Sequence, residues 1–295
     1  MADTTVLMCP PTYFYHEAEI IHNKYNVHMR IGTPVDRERL MEQFERLRQT
    51  LWGLGKNENL VSVELLDPVP GLNEMVFAAN GGVAIHGAVG KVFFPVNSIF
   101  DERGREGPHH AEWFSQHGFE VVPIPKVWAQ DGEGELLHVP GTTLYFGGYG
   151  QRSDPEPYYW MERTLIERGI SVRIVAIHNV DPHWYHLDTY FAPLGLTPRD
   201  GKQAALFYPG ATDAAGQVTV RGIFEDVIEV TRDEAMHFIC NSLVLKDVVI
   251  APWMNERVQT MLESRGYRVI SVDVSEYMKA GGQVKCMVLF VERPD

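Results

Sequence analysis

Apolar and polar positions along this chain repeat in a fixed order. Three stretches carry helix-like apolar spacing that runs into a glycine and then into an extended, β-branched run. They are Trp113 to Gly118 followed by Phe119-Glu-Val-Val, Leu165 to Gly169 followed by Ile170-Ser-Val-Arg-Ile, and Leu262 to Gly266 followed by Tyr267-Arg-Val-Ile. A glycine that tolerates positive φ ends each helix, and the run after it reads as a strand. The three glycines are 51 and 97 residues apart, which is a period near 50 with one copy skipped. A weaker copy opens the chain, where 35–54 reads as an amphipathic helix and 60–66 as its strand. Between these units, 76–85, 137–146 and 238–250 each read as two apolar strands around small or turn-forming residues.

About five ββαβ units fit in 295 residues at this period. The expected fold class is α/β, a five-bladed ring of ββαβ repeats whose strand ends face a central cavity; a two-layer α/β sandwich is the alternative. No Pro/Ser-rich linker interrupts the pattern, so one domain over 1–295 is expected.

Composition narrows the partners. A net charge of −13 argues against nucleic acid, whose phosphates need a basic surface. It is compatible with a small cationic substrate. The start, Met1-Ala-Asp-Thr-Thr, has neither a basic nor an apolar leader region, and no run reaches the roughly 18 apolar residues of a membrane helix. Three cysteines without a CxxC pair do not form a disulfide scaffold, so a cytoplasmic protein with no membrane partner is expected.

The unusual residues fall at similar phases of four repeats: Asn80, Glu133, His186 and Cys286. A ring would bring them together. Thiolate, imidazole, carboxylate and amide suit attack on a planar, cationic carbon such as a guanidinium. Cys286 follows Lys279, the glycine pair 281 and 282, and Lys285, and positive charge favours a thiolate. A small core cysteine is the bland alternative. His178, His183 and His186 have metal-like spacing, but Asp181-Pro182 breaks a helix there, so no metal site is expected. Glu133 and Glu135 form either a solvated acidic loop or a close-packed turn that aims both side chains. Cys240 reads as a buried strand residue, and Cys9, before Pro10-Pro11, as structural.

An ordered series of motifs then resembles the guanidine-modifying (pentein) superfamily across nearly the whole chain. It comprises Met8-Cys-Pro-Pro, Asn26-Val-His-Met, Asn73-Glu-Met-Val-Phe-Ala-Ala-Asn80, Gly132-Glu-Gly-Glu135, Tyr149-Gly-Gln-Arg152-Ser-Asp, Tyr185-His-Leu-Asp188, 235–241 and Lys279-Ala-Gly-Gly to Cys286. The resemblance implies a five-bladed α/β propeller and hydrolysis at the guanidino carbon of arginine, to ornithine or citrulline with ammonia, with dimethylarginine or another guanidine as the alternative substrate. It needs no cofactor and allows a homodimer; amidino transfer and a non-catalytic binding homologue are the other readings. By motif, Cys286 would be the nucleophile, His186 the general acid/base and Glu133 the carboxylate paired with the histidine or the guanidinium. Asn80, Glu135, Asn26, Phe77, Arg152 and Asp188 would contact substrate, with Glu135 standing where relatives commonly carry Asp. Asn80, where deiminases carry Asp, favours an arginine dihydrolase. One of two expected carboxylate-binding arginines is missing: the segment from Phe94 has none until Arg103.

Overall fold

The structure is a computed structural model and describes residues 4–15, 20–22, 24 and 26–293. Residues 1–3, at the N-terminus read above, lie outside the described residues. The first blade pairs β1 (Thr4–Met8) in parallel with β2 (Val61–Leu65) across the long helix α1 (Arg37–Glu58). Leu40, Phe44, Leu47, Leu51 and Leu54 are its buried stripe, at alternating spacings of four and three. The Asp36 carboxylate accepts from the Arg39 amide at 3.1 Å to cap the start, and Asn59, at φ 57°, stops the helix.

Four further blades follow, each an antiparallel hairpin, then helix, then a parallel strand. The second holds β3 (Gly82–Gly87), β4 (Gly90–Pro95), the short α2 (Asp101–Gly104), α3 (Gly107–Gln116) and β5 (Glu120–Val121). The third holds β6 (Leu136–His138), β7 (Leu144–Tyr149), α4 (Glu156–Glu167) and β8 (Arg173–His178). The fourth holds β9 (Phe191–Leu196), β10 (Gln203–Phe207), α5 (Ala214–Ile223) and β11 (Asp226–Glu229). After α6 (Arg232–Met236), the fifth holds β12 (Leu243–Leu245), β13 (Val248–Ala251), α7 (Glu256–Glu263) and β14 (Arg268–Ser271). The chain then passes through α8 (Ser275–Met278), and β15 (Leu289–Glu292) returns to pair antiparallel with β1. The result is five three-stranded sheets, the first completed by the two ends of the described chain.

The period of about 50 and the five-bladed fold read from it are therefore present. Gly118, Gly169 and Gly266 sit at φ 82°, 76° and 93°, the left-handed turn expected of them. Two hairpins differ from expectation. Residues 76–81 are turn and 3₁₀ helix, with the hairpin made by β3 and β4 instead, and 238–242 is turn and coil, with Phe238 at φ 54°. Cys240 is buried as expected but lies in that turn, outside any strand. Each inner strand is thus entered from a tight non-strand segment, and these five segments converge on the centre. No helix among the described residues is long and apolar enough to cross a membrane.

Candidate active site

The turn before β15 carries Cys286, which borders a small cavity. Residues 281 and 282 are glycines because the chain is crowded here. A Cβ on Gly281 (φ 82°) would stand 2.4 Å from the Asn26 amide oxygen, and one on Gly282 would stand 2.2 Å from the Phe77 ring. Asn26 and Phe77 accordingly line the cavity.

The thiol is held from the turn before β12. Asn241 places its amide nitrogen 3.2 Å from Sγ, while its amide oxygen accepts from the Lys285 and Cys286 amides at 3.0 and 3.3 Å. From the turn before β9, the Asp188 Oδ2 lies 3.3 Å from Sγ. Burial, and then the Asp188 charge, push the Cys286 thiol well above its ordinary range. Burial likewise raises Asp188 to about 6, against the opposing pull of Lys285. The resting thiol is therefore protonated at neutral pH, contrary to the thiolate that the flanking lysines suggested. Lys279 instead pairs with Glu276 at 2.6 Å.

His186 Nε2 lies 3.0 Å from Asp131 Oδ2, which also accepts from Arg152 Nη1 at 2.9 Å. Because the carboxylate can only accept, Nε2 carries the proton and Nδ1 carries the lone pair, which accepts from the Asn80 amide nitrogen at 3.4 Å. Burial raises any carboxylate, yet the His186 hydrogen bond and the Arg152 charge outweigh it and hold Asp131 well below the usual range. Burial lowers His186 to about 4, so its ring is neutral at pH 7.

Asn80 donates to the Asp131 carbonyl at 2.9 Å and accepts from Arg103 Nη2 at 2.6 Å. Arg103, on α2, also pairs with Glu106 at 3.1 Å and lines the cavity. Arg103, which follows the segment without a second arginine, thus reaches the same cavity as Arg152. Glu74 and Tyr185 line the cavity as well, and Arg152 stacks 4.8 Å over the Tyr185 ring.

Two acids stand elsewhere than expected. Glu133 does not touch His186. Its Oε2 accepts from Lys285 Nζ at 3.0 Å and from the Phe290 amide at 3.1 Å, and its other oxygen pairs with Arg293. Asp131, two residues earlier, takes the position beside the histidine. Glu135 does not line the cavity: its carboxylate accepts from the Leu187 amide at 3.0 Å and from the Asn179 amide at 3.1 Å. It pins the turn that presents His186 and Asp188, and burial raises it well above the carboxylate range. Asp131, Asn241, Glu74, Arg103 and Tyr185 were not singled out as site residues from the sequence. For Asp131 the signal was present, since it opens the same acidic loop.

The chain is 30% identical to the bifunctional arginine dihydrolase/ornithine cyclodeaminase ArgZ of a Synechocystis species, over 99% of this chain and 38% of that protein. It thus spans well under half the length of that relative. It is 32% identical to the N(G),N(G)-dimethylarginine dimethylaminohydrolase of Mycobacterium tuberculosis, over 96% of this chain and 84% of the other. The ArgZ N-terminal domain covalently bound to a reaction intermediate superposes with a TM-score of 0.87 at 28% identity, covering 99% of each chain. A family model described as N,N dimethylarginine dimethylhydrolase, eukaryotic, matches residues 215–293. Five three-stranded sheets, a thiol and an imidazole converging on their centre, and these similarities place the chain in the guanidine-modifying (pentein) family, with the dimethylarginine dimethylaminohydrolases.

Proposed function

We propose that this chain is one catalytic domain, acting in the cytoplasm, that hydrolyses the guanidino carbon of arginine through a cysteine adduct. The carrying observation is that Cys286, His186 and both arginines border one buried cavity, with Asp188 3.3 Å from the thiol. A zwitterionic amino acid with a cationic tail fits that set. Arg103 and Arg152 would take its carboxylate, and Asp188 with Asn80 its guanidinium. The resting thiol is neutral, so the arriving guanidinium charge supplies what stabilises the thiolate. The thiol proton passes to His186, whose imidazolium Asp131 stabilises. Thiolate adds to the guanidino carbon, His186 protonates the departing nitrogen, and ammonia leaves an S-alkylthiouronium on Cys286. Water then adds to that carbon as His186 takes its proton, the C–S bond breaks, and citrulline is released.

Asn80 supports a second round. A neutral amide both donates and accepts, so it can hold a ureido group as well as a guanidinium. A second addition of water would give ornithine, ammonia and carbon dioxide; ArgZ is named an arginine dihydrolase. Dimethylarginine is the second reading, favoured by the mycobacterial relative. Mass-spectrometric product analysis with arginine, dimethylarginine and citrulline tests all three. Ornithine from arginine is expected. Dimethylamine from dimethylarginine alone would transfer the assignment to the second reading, and no product from any of the three would overturn both.

A further inference from the structure

A second cavity, with about 690 Å³ of empty space, adjoins the other side of the thiol-bearing turn. It lies among the third, fourth and fifth blades, β1 and β15. Leu137, Phe191, Ala192, Val244 and Leu245 supply apolar walls. Lys285, Phe290 and Arg293 form one end, and no Asp or Glu lines the cavity among the described residues. The Phe290 ring lies 5.6 Å from the Lys285 ammonium and 4.4 Å from the Arg293 guanidinium.

The charges at that end are unequal. Lys285 is buried, Arg293 is partly so, and both pair with a single carboxylate, Glu133. Lys285 has three protons, of which Glu133 and the Val288 carbonyl accept two, at 3.0 and 3.2 Å. The third N–H has no acceptor among the described residues and can take a further one at this end of the cavity, while the Asp188 charge acts on Lys285 from the thiol side.

We propose that this cavity binds a small monocarboxylate with an apolar tail, its carboxylate at Lys285 and Arg293 and its tail along Val244. Lys285 and Cys286 share Asn241 through their amides, so occupancy is felt at the thiol. This site is separate from the proposed arginine cavity and stands whether or not arginine is the substrate.

Hexanoate is the probe, titrated calorimetrically into the whole chain, with 1-hexanol as its neutral match. Saturable one-to-one binding of hexanoate is expected, with hexanol weaker by about tenfold or more. Val244→Phe, or Ala192→Leu should the first variant not fold, fills the cavity and should abolish binding, while Arg152→Met should leave it intact. Bound hexanoate should change the rate of iodoacetamide alkylation at Cys286 by about twofold or more. No saturable binding, hexanol binding equally well, or binding that survives both filling variants would overturn the site. So would loss of binding in Arg152→Met, which would place hexanoate in the thiol cavity. An unchanged alkylation rate at saturation would overturn the coupling to Cys286.

Discussion

Asp131 and Glu133 stand two residues apart in one buried turn, and each is bound by two basic side chains. Asp131 faces His186 and Arg152 at the thiol cavity, while Glu133 faces Lys285 and Arg293 at the cavity on the other side. Gly132 between them, at φ 71°, turns the backbone so tightly that a Cβ there would stand 2.6 Å from the Ala79 carbonyl. Burial and ion pairing are therefore common to both acids and distinguish neither. What differs is the neighbour: one touches a neutral imidazole that borders the thiol cavity, the other an ammonium, a guanidinium and an amide. A buried, paired carboxylate becomes a candidate for catalysis only through what its partner can then do.

The largest effect sets the floor for that comparison. Cys286→Ser should lower turnover about 10⁴-fold or more, with unchanged circular dichroism. Retained turnover would remove the thiol cavity from the chemistry and leave the two acids equivalent. Against that floor, Asp131→Asn should lower kcat about 10³-fold while the denaturation midpoint moves little. Glu133→Gln should do the reverse. It leaves Lys285 and Arg293 without their shared charge, costing about 3 kcal/mol or more of stability, with kcat of the folded fraction within about tenfold. Steady-state kinetics and urea melts on the two variants decide the matter, and matched profiles would break the distinction.

The sequence read the ring well where backbone chemistry marked it. Gly118, Gly169 and Gly266 end helices in the left-handed region and so announce the period. In the skipped copy, α5 ends at Phe224 with φ −95° and ψ 126°, a conformation any residue adopts, and nothing marks it. The site was legible by residue type, not by direction. In Asp131-Gly-Glu-Gly-Glu135 three acids alternate with glycine, and no periodicity says which side chain faces which cavity. Arg103 was hidden because α2 has four residues, too few to show an apolar stripe. Asn241 lay in an apolar run that reads as strand until Phe238 enters the left-handed region.

Asn241 extends the comparison to a third buried polar residue, one that holds the thiol without a charge. Asn241→Ala removes the donor to Sγ and the acceptor for two amides. Iodoacetamide labelling of Cys286 and kcat should both fall about tenfold or more, with KM moving less. Asn241→Asp keeps the acceptor and should leave the turn in place, yet depress labelling through its charge. Equal labelling in wild type and both variants would mean that Asn241 only fills space.

The smallest effect concerns Asp188, whose charge opposes the thiolate in the resting protein and would favour guanidinium binding. Asp188 has a folded value near 6, so above that pH it is ionised 3.3 Å from Sγ and holds the thiol protonated. Asp188→Asn removes that repulsion, so Cys286 should titrate at lower pH. Substrate-free labelling at pH 8 should rise by about three- to tenfold. The sign fixes where the difference disappears. Below pH 6 the wild-type carboxyl is itself neutral, so the ratio of the two labelling rates should fall toward one. With arginine present the gap should widen, because bound substrate shields Cys286 in the wild type while the variant lacks the charge proposed to hold the guanidinium. A labelling profile that is the same at every pH would show that burial alone sets the thiol, and Asp188 would then join Glu133 among the acids that only shape the fold.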